Sequence, residues 1–388
     1  MGSRFCRGWC VTLAPNAAIH KSGPDIKQDD SGPRLRHFAA MTENTLIPVT
    51  VLTGFLGSGK TTILSKILRD PAFEDTAVIV NEFGEVGLDH LLVESTDESI
   101  IDLSCGCICC TIRGDLMATL IDLYARREAG EIRRFKRVVL ETTGLADPAP
   151  IIHTLMQEPL VFNHYRLAQV VTAVDAVNAM ATLDRQPEAV KQAAVADVLL
   201  VTKTDITNDG DALSGLEARL AAINPAAAQA RCVDGAVAPE ILFSGGLYDP
   251  SGKGGDVAGW LAQEAAAAPG HHHHPDANRH GDGIATYALH RDRPVGRGAL
   301  SVFMQMLADQ KGDDLLRLKG LVALTDDISR PAVVHGVHHV IHPIRRLDAW
   351  PEGENGTTLV FIVRGIEKSW IEELFDRATE SAYADLPA

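Results

Sequence analysis

The chain has 388 residues and a formal net charge of −15, which leaves room for two or three domains and argues against nucleic acid as a main partner. No apolar run reaches the length that spans a membrane, so a membrane is not an expected partner either. Four of the seven cysteines fall within six residues (Cys105, Cys107, Cys109, Cys110), a crowding that suits soft-metal ligation better than a disulfide framework and implies a reducing, cytoplasmic setting.

Residues 1–40 carry six Lys/Arg and three acids, a net +3 against −18 for the rest of the chain. They show no helical or strand period. The lack of acids before Asp25 fits a transit-like peptide. The preferred reading is a disordered extension or an over-long start, with Met41 just ahead of the first strand, so residues 1–45 are set apart.

The run Pro48–Thr53 is short, β-branched and apolar. It leads into G-x-x-x-x-G-K-T over Gly54–Thr61, followed by the helix-like Ile63–Leu68. Strand, glycine loop and helix are the setting a P-loop needs: glycines let backbone N–H groups turn inward around phosphates, and the helix adds its positive dipole end. Gly54, Gly57, Ser58, Gly59, Lys60, Thr61 and Thr62 are the candidate phosphate-binding residues. Lys60 is also the candidate catalytic cation and Thr61 a ligand for Mg²⁺.

A buried-strand pattern at Thr76–Val80 ends in the acidic, glycine-punctuated loop Asn81–Asp89, where a nucleotide switch has its first mobile loop. Ile100–Leu103 reads as a short strand running into Cys107-Ile108-Cys109-Cys110. Thiolates there select Zn²⁺ or Cu⁺ over Mg²⁺. So few cysteines leave the coordination incomplete, which suits a metal that must be released; Glu82, Glu85 or a histidine could finish it. Val138–Leu140 ends in Glu141-Thr142-Thr143-Gly144. Glu141 stands where P-loop NTPases hold a Mg²⁺-bound water, and Gly144 where a backbone N–H meets the γ-phosphate. No glutamine follows Gly144, so hydrolysis is expected to be slow. The strand before Thr202-Lys203-Thr204-Asp205 leads to a variant of the N-K-x-D guanine motif. Asp205 suits the two guanine donors and Lys203 can lie along the base, but Thr202 replaces the usual asparagine.

Strands and helices alternate over 46–228, predicting an α/β P-loop domain with a mostly parallel sheet and its ligand loops at the carboxyl edge. Residues 229–283 read as a linker, with His271, His272, His273 and His274 as a loose metal reservoir. Residues 284–388 read as a smaller α+β domain: strands near 286–289, 316–324, 331–342 and 358–364, helices at 297–310 and 368–382 on one sheet face. His335, His338, His339 and His342 would share one strand, with His338 and His342 on one side. A structural or weakly polar role is expected for them.

Gly54–Thr61, Asn81–Gly84, Gly106–Cys110, Glu141–Gly144 and Thr202–Asp205, taken in order, resemble the CobW-type family of metal-handling GTPases, relatives of the nickel-insertion GTPases of hydrogenase and urease maturation. Arg317–Gly320, His335–His339 and Trp350-Pro351 resemble that family's C-terminal domain. The resemblance spans roughly residues 47–385. It implies a metallochaperone that binds Mg²⁺ and GTP, loads a divalent metal and releases it to a client metalloprotein on hydrolysis. By that analogy Cys107, Cys109 and Cys110 adjoin the metal, with Glu82 as a further ligand. Zn²⁺ is the leading cargo, and Co²⁺, for cobalamin synthesis or enzyme activation, is the close variant. A nucleotide-dependent homodimer is a further expectation. A metal store or sensor regulated by GTP is the alternative of a different class. A small-molecule kinase would leave T-K-x-D idle.

Overall fold

The computed structural model describes residues 46–80, 100–102, 112–207, 210–243, 283–351 and 355–383. The first sheet contains β1 (Ile47–Thr53), β2 (Thr76–Val80), β3 (Ile100–Asp102), β4 (Arg137–Glu141), β5 (Tyr165–Asp175), β6 (Val198–Thr202) and β7 (Ala228–Cys232), in spatial order β3-β2-β4-β1-β5-β6-β7. Every pairing in it is parallel, so the mostly parallel sheet expected is uniformly so.

Successive strand residues point to opposite faces, and helices cover both. On one face Leu52, Val78, Val139 and Val171 pack against α1 (Lys60–Ile67). On the other, Val51, Ile79 and Leu140 meet α2 (Ile112–Ala129) and α3 (Ala149–Gln157), with the short α4 (Pro159–Phe162) behind them. Val174, Leu199 and Val201 meet α5 (Ala179–Arg185), α6 (Pro187–Ala194) and α7 (Gly210–Ile223). Burial on both faces is why the central strands read as unbroken apolar runs.

The boundary expected at 228 falls short. β7 completes the sheet, and α8 (Pro239–Phe243) packs Leu242 into the same core as Cys232. β7 is an edge strand with four of its five residues partly or fully exposed, so it carries no apolar run. A linker can begin only after Phe243; residues 244–282 lie outside the described set, as do residues 1–45.

The second sheet is antiparallel. It holds β8 (Ile284–Arg291), β9 (Leu315–Leu324), β10 (Asp327–Val337), β11 (Val340–Ile341) and β13 (Thr357–Arg364) in the order β11-β10-β9-β13-β8, with β12 (Arg345–Arg346) paired to β10. Helices α9 (Arg297–Lys311) and α10 (Lys368–Tyr383) cover one face. There Phe303 meets Phe361 and Phe375 edge-on, at centroid distances of 6.3 and 5.0 Å. The other face lies on the first domain, where Leu316 and Ile362 join the core of α6 and α7. β9 is therefore buried at all ten positions.

The single strand expected over 331–342 is a hairpin. β10 ends at Val337, His338 and His339 form the turn, and β11 returns with Gly336 opposite Ile341 and Val337 opposite Val340. His338 has φ +53°, the left-handed backbone that a two-residue hairpin turn demands. Bonds from the turn offset that cost: His338 N–H donates to Leu315 O at 2.8 Å, and His339 Nδ1 lies 2.8 Å from Ala308 O. The fold-back makes His335 and His342 cross-strand neighbours, linked by His342 N–H to His335 O at 2.8 Å. His338 does not share a strand face with His342.

Candidate nucleotide site at the carboxyl edge

Parallel strands deliver their following loops to one edge. Here the ends are also level: Leu52 and Val80 both stand beside Glu141, and Val80 beside Asp102.

The loop after β1 depends on its glycines. Gly54 has φ +138°, and a Cβ there would lie 2.3 Å from Ala173 O; Gly59, with φ +93°, caps the start of α1. Helical N–H groups from Lys60 onward have no acidic side chain in the first turn, so the positive end of the helix faces the loop uncompensated. Lys60 is buried, and its Nζ donates to Gly54 O at 2.7 Å and Phe55 O at 3.3 Å. Its ammonium is thus held within the curl of the loop. Gly57, Ser58, Thr61 and Thr62 complete this wall.

Glu141 is buried at the end of β4. The next residue binds the two central strands together: Thr142 N–H donates to Leu52 O at 3.0 Å, and its hydroxyl lies 2.7 Å from that of Thr53. Gly144 then presses on the phosphate loop. A Cβ on it would lie 2.8 Å from Leu56 Cδ2 and 2.9 Å from Leu56 N.

Thr202 is turned inward. Its hydroxyl donates to Ser58 O at 2.7 Å, so it braces the phosphate loop. Lys203, at φ +59°, pairs with Asp175 at 2.9 Å. Burial works to raise the Asp175 carboxyl, but hydrogen bonds from Asn178 and Lys203 outweigh it and leave it below the usual carboxylate range. Asp205 is exposed at the rim.

One further wall, the loop after β7, lies outside the sequence motifs. Asp234 and Gly235 both have positive φ, Lys66 pairs with Asp234 at 2.8 Å, and a Cβ on Gly235 would lie 2.8 Å from Thr62 O. The Asp-Gly pair one residue after β7 was the available signal. Nearby Cys232 donates from Sγ to Ala236 O at 3.3 Å, and burial pushes its thiol pKa up, which keeps it neutral.

Glu82, Cys107, Cys109, Cys110 and His271–His274 lie outside the described residues. In the chain, Glu82 follows the end of β2 by two residues, and the cysteines fall between β3 and α2. Among the described residues no group of three or more His, Cys, Asp or Glu has metal-holding geometry, and no helix is long and apolar enough to cross a membrane.

Residues 48–231 match the CobW/HypB/UreG nucleotide-binding domain, and residues 284–379 match the cobalamin synthesis protein CobW C-terminal domain. Zinc chaperone YjiA of Escherichia coli is 34% identical over 316 residues, covering 81% of this chain and 93% of that protein. Zinc-regulated GTPase metalloprotein activator 1 of Schizosaccharomyces pombe is 35% identical over 185 residues, covering 46% of this chain and 44% of that protein. The crystal structure of Zn(II)-bound YjiA GTPase from E. coli aligns with a TM-score of 0.64 at 29% identity, covering 86% of this chain and 99% of that one.

Proposed function

The chain belongs to the CobW/HypB/UreG family, and from that premise we propose that it is a GTP-hydrolysing metallochaperone that carries zinc to a client metalloprotein in the cytoplasm. The observation that carries this reading is the level sheet edge. The phosphate loop, the buried acid Glu141 and the chain segments leading to Glu82 and to the cysteines all depart from Leu52, Glu141, Val80 and Asp102, which stand in register.

Lys60 neutralises the β- and γ-phosphates, moving from its present carbonyl partners. Backbone N–H groups of Gly57, Ser58, Gly59 and Thr62 surround the phosphate oxygens, and Gly144 offers its N–H to the γ-phosphate. Asp205 and Lys203 read guanine, while Thr202 holds the loop that contacts the phosphates. Thr61 and Glu141 are hard oxygen donors, the set that suits Mg²⁺. They would hold it, Glu141 through water, and the ion would supply charge neutralisation. GTP and water give GDP and phosphate. Leu145 and Ala146 follow Gly144, so no glutamine there orients the water, and turnover is expected to be slow.

Zinc is cargo. Cys107, Cys109 and Cys110, with Glu82, are the proposed ligands, and His271–His274 form a weaker reservoir. Because the strands that lead to both ligand segments end in register with Glu141, which precedes the Gly144 loop, GTP binding is proposed to assemble the metal site and hydrolysis to open it. Nucleotide-dependent pairing of two copies is part of this proposal.

The test is a competitive Zn²⁺ titration against a chromogenic chelator with Mg²⁺-GTP, Mg²⁺-GDP or neither, with Co²⁺ in parallel. GTP alone is expected to tighten zinc binding about tenfold, about 1.4 kcal/mol of coupling. Equal affinity in all three states would overturn the chaperone reading in favour of a store or sensor. Cys107→Ala or Cys109→Ala should abolish tight metal binding and spare GTP binding.

A further inference from the structure

We propose that Gln192 is the positioning residue for GTP hydrolysis, holding the γ-phosphate loop Gly144–Asp147 from the neighbouring helix α6; this rests on the GTPase reading above.

Gln192 is completely buried. Its Nε2 donates to Gly144 O at 3.2 Å and to Ala146 O at 3.0 Å, which engages both amide protons. Its main-chain carbonyl accepts from Thr172 Oγ1 of β5 at 2.7 Å, so the clamp is anchored to the sheet. The preceding residue assists from outside, with Lys191 Nζ 3.5 Å from Asp147 Oδ2. The loop is also tied within itself, by Ala146 N–H to Thr143 O at 3.0 Å.

Glycine explains why a clamp is needed. Gly144 must lack a side chain, because Leu56 of the phosphate loop leaves no room for one. Lacking a side chain also frees its dihedrals. Leu56 bounds the glycine on one side, and Gln192 fixes its carbonyl and that of Ala146 from another. Gly144 N–H shares its peptide plane with Thr143 O, which accepts from Ala146 N–H; with that plane tied and the carbonyls of Gly144 and Ala146 held by Gln192, the N–H is held in place before GTP arrives, which is the condition for electrostatic preorganisation.

Stability alone does not account for a glutamine here. Its buried neighbours on α6 are Ala189, Val190, Ala193 and Ala194. Its Oε1 has no hydrogen-bond partner among the described residues, and an unmet buried acceptor is costly. Its amide nitrogen is committed to the loop, so Gln192 acts through Gly144 rather than on the attacking water.

The test uses the full chain with Gln192→Met, which keeps length and removes the amide, and Gln192→Glu, which removes the donor. Asn224→Leu is the control. Asn224 is also completely buried, and its Nδ2 lies within 3.0 Å of Ala193 O, Ala194 O and Ala196 O at the end of α6, away from the loop. Both Gln192 variants are expected to lower kcat for GTP about tenfold and to narrow the affinity ratio between a non-hydrolysable GTP analogue and GDP, with GDP affinity changed less than about twofold. Asn224→Leu should leave the ratio intact even if it lowers the melting temperature as much. Unchanged kcat and ratio in the variants, or the same change in Asn224→Leu, overturns the proposal. If one Gln192 variant does not fold, the other decides. A wild-type chain that cannot tell the GTP analogue from GDP overturns the parent reading and this one with it. A discriminating wild type with equally discriminating variants overturns this one alone.

Discussion

Single residues at the sheet edge work under steric and electrostatic demands that leave few substitutes. Lys60 brings a buried ammonium into a glycine loop. Lys60→Ala should abolish GTP turnover and sharply weaken nucleotide binding, as a fluorescent-nucleotide titration and phosphate release would show. Gly144→Ala puts a Cβ against the backbone of Leu56, at 2.9 Å from N and 3.0 Å from Cα. It should cut turnover more than about tenfold while sparing GDP binding. Leu56→Ala should not rescue it, because the backbone contacts remain. Thr202→Val removes a buried donor to Ser58 O. It should weaken GTP and GDP alike and destabilise the fold by about 1–3 kcal/mol in urea unfolding.

At the scale of elements, the β10–β11 hairpin shows how a turn redirects side chains. The left-handed backbone at His338 is set by the two-residue connection, and its imidazole packs at the end of α9, with Nδ1 3.3 Å from Gly312 O. His338→Gly and His338→Val both lose that imidazole, so their difference isolates the backbone. The valine variant should be less stable by about 1–2 kcal/mol in urea unfolding. A smaller difference would mean that the hairpin has adopted another turn. The same turn reaches the nucleotide domain, where His338 Nε2 stands 3.8 Å from Asp147. The Gly144–Asp147 loop and the C-terminal domain therefore meet at this carboxylate.

Across the whole molecule, the two domains share apolar core and one buried ionic group. Asp197, just before β6, bonds Arg317 and Lys319 of β9 and also accepts from Val170 N–H at 2.8 Å. Burial works to raise the Asp197 carboxyl, and the charges of Arg317 and Lys319 hold it well below the usual range. Asp197→Ala removes the carboxylate bonded to two buried cations and should cost about 3–5 kcal/mol, read as a lower urea midpoint for one joint transition. The seam is also sensitive to acid. Burial pushes His335 down to about 3 and His342 down to about 4. Below an unfolded pKa near 6.5 the unfolded chain binds protons that these rings refuse, so stability is full above that pH and falls as pH drops toward 4. The slope approaches about 1.4 kcal/mol per pH unit for each ring. His335→Gln should flatten melting temperature against pH between 7 and 5.

The order of chemistry along the chain was decided by sequence alone. The P-loop, Glu141, Gly144 and Asp205 each follow an apolar strand, and a fully covered parallel strand has to be apolar on both faces. That local requirement made the α/β class with its loops at the carboxyl edge readable, along with the smaller α+β second domain and its two helices. What needs partners distant in the chain was decided only by the tertiary structure. β7 is recognisable once β6 stands beside it. That the Thr202 hydroxyl bonds Ser58 O, 144 residues away, shows only in the folded chain. Gln192 lies 48 residues from the loop it holds. Four histidines look like two faces of one strand until a backbone at φ +53° folds them into a hairpin. Local burial writes itself into local composition, whereas a hydrogen bond between distant segments leaves no periodic trace in either one.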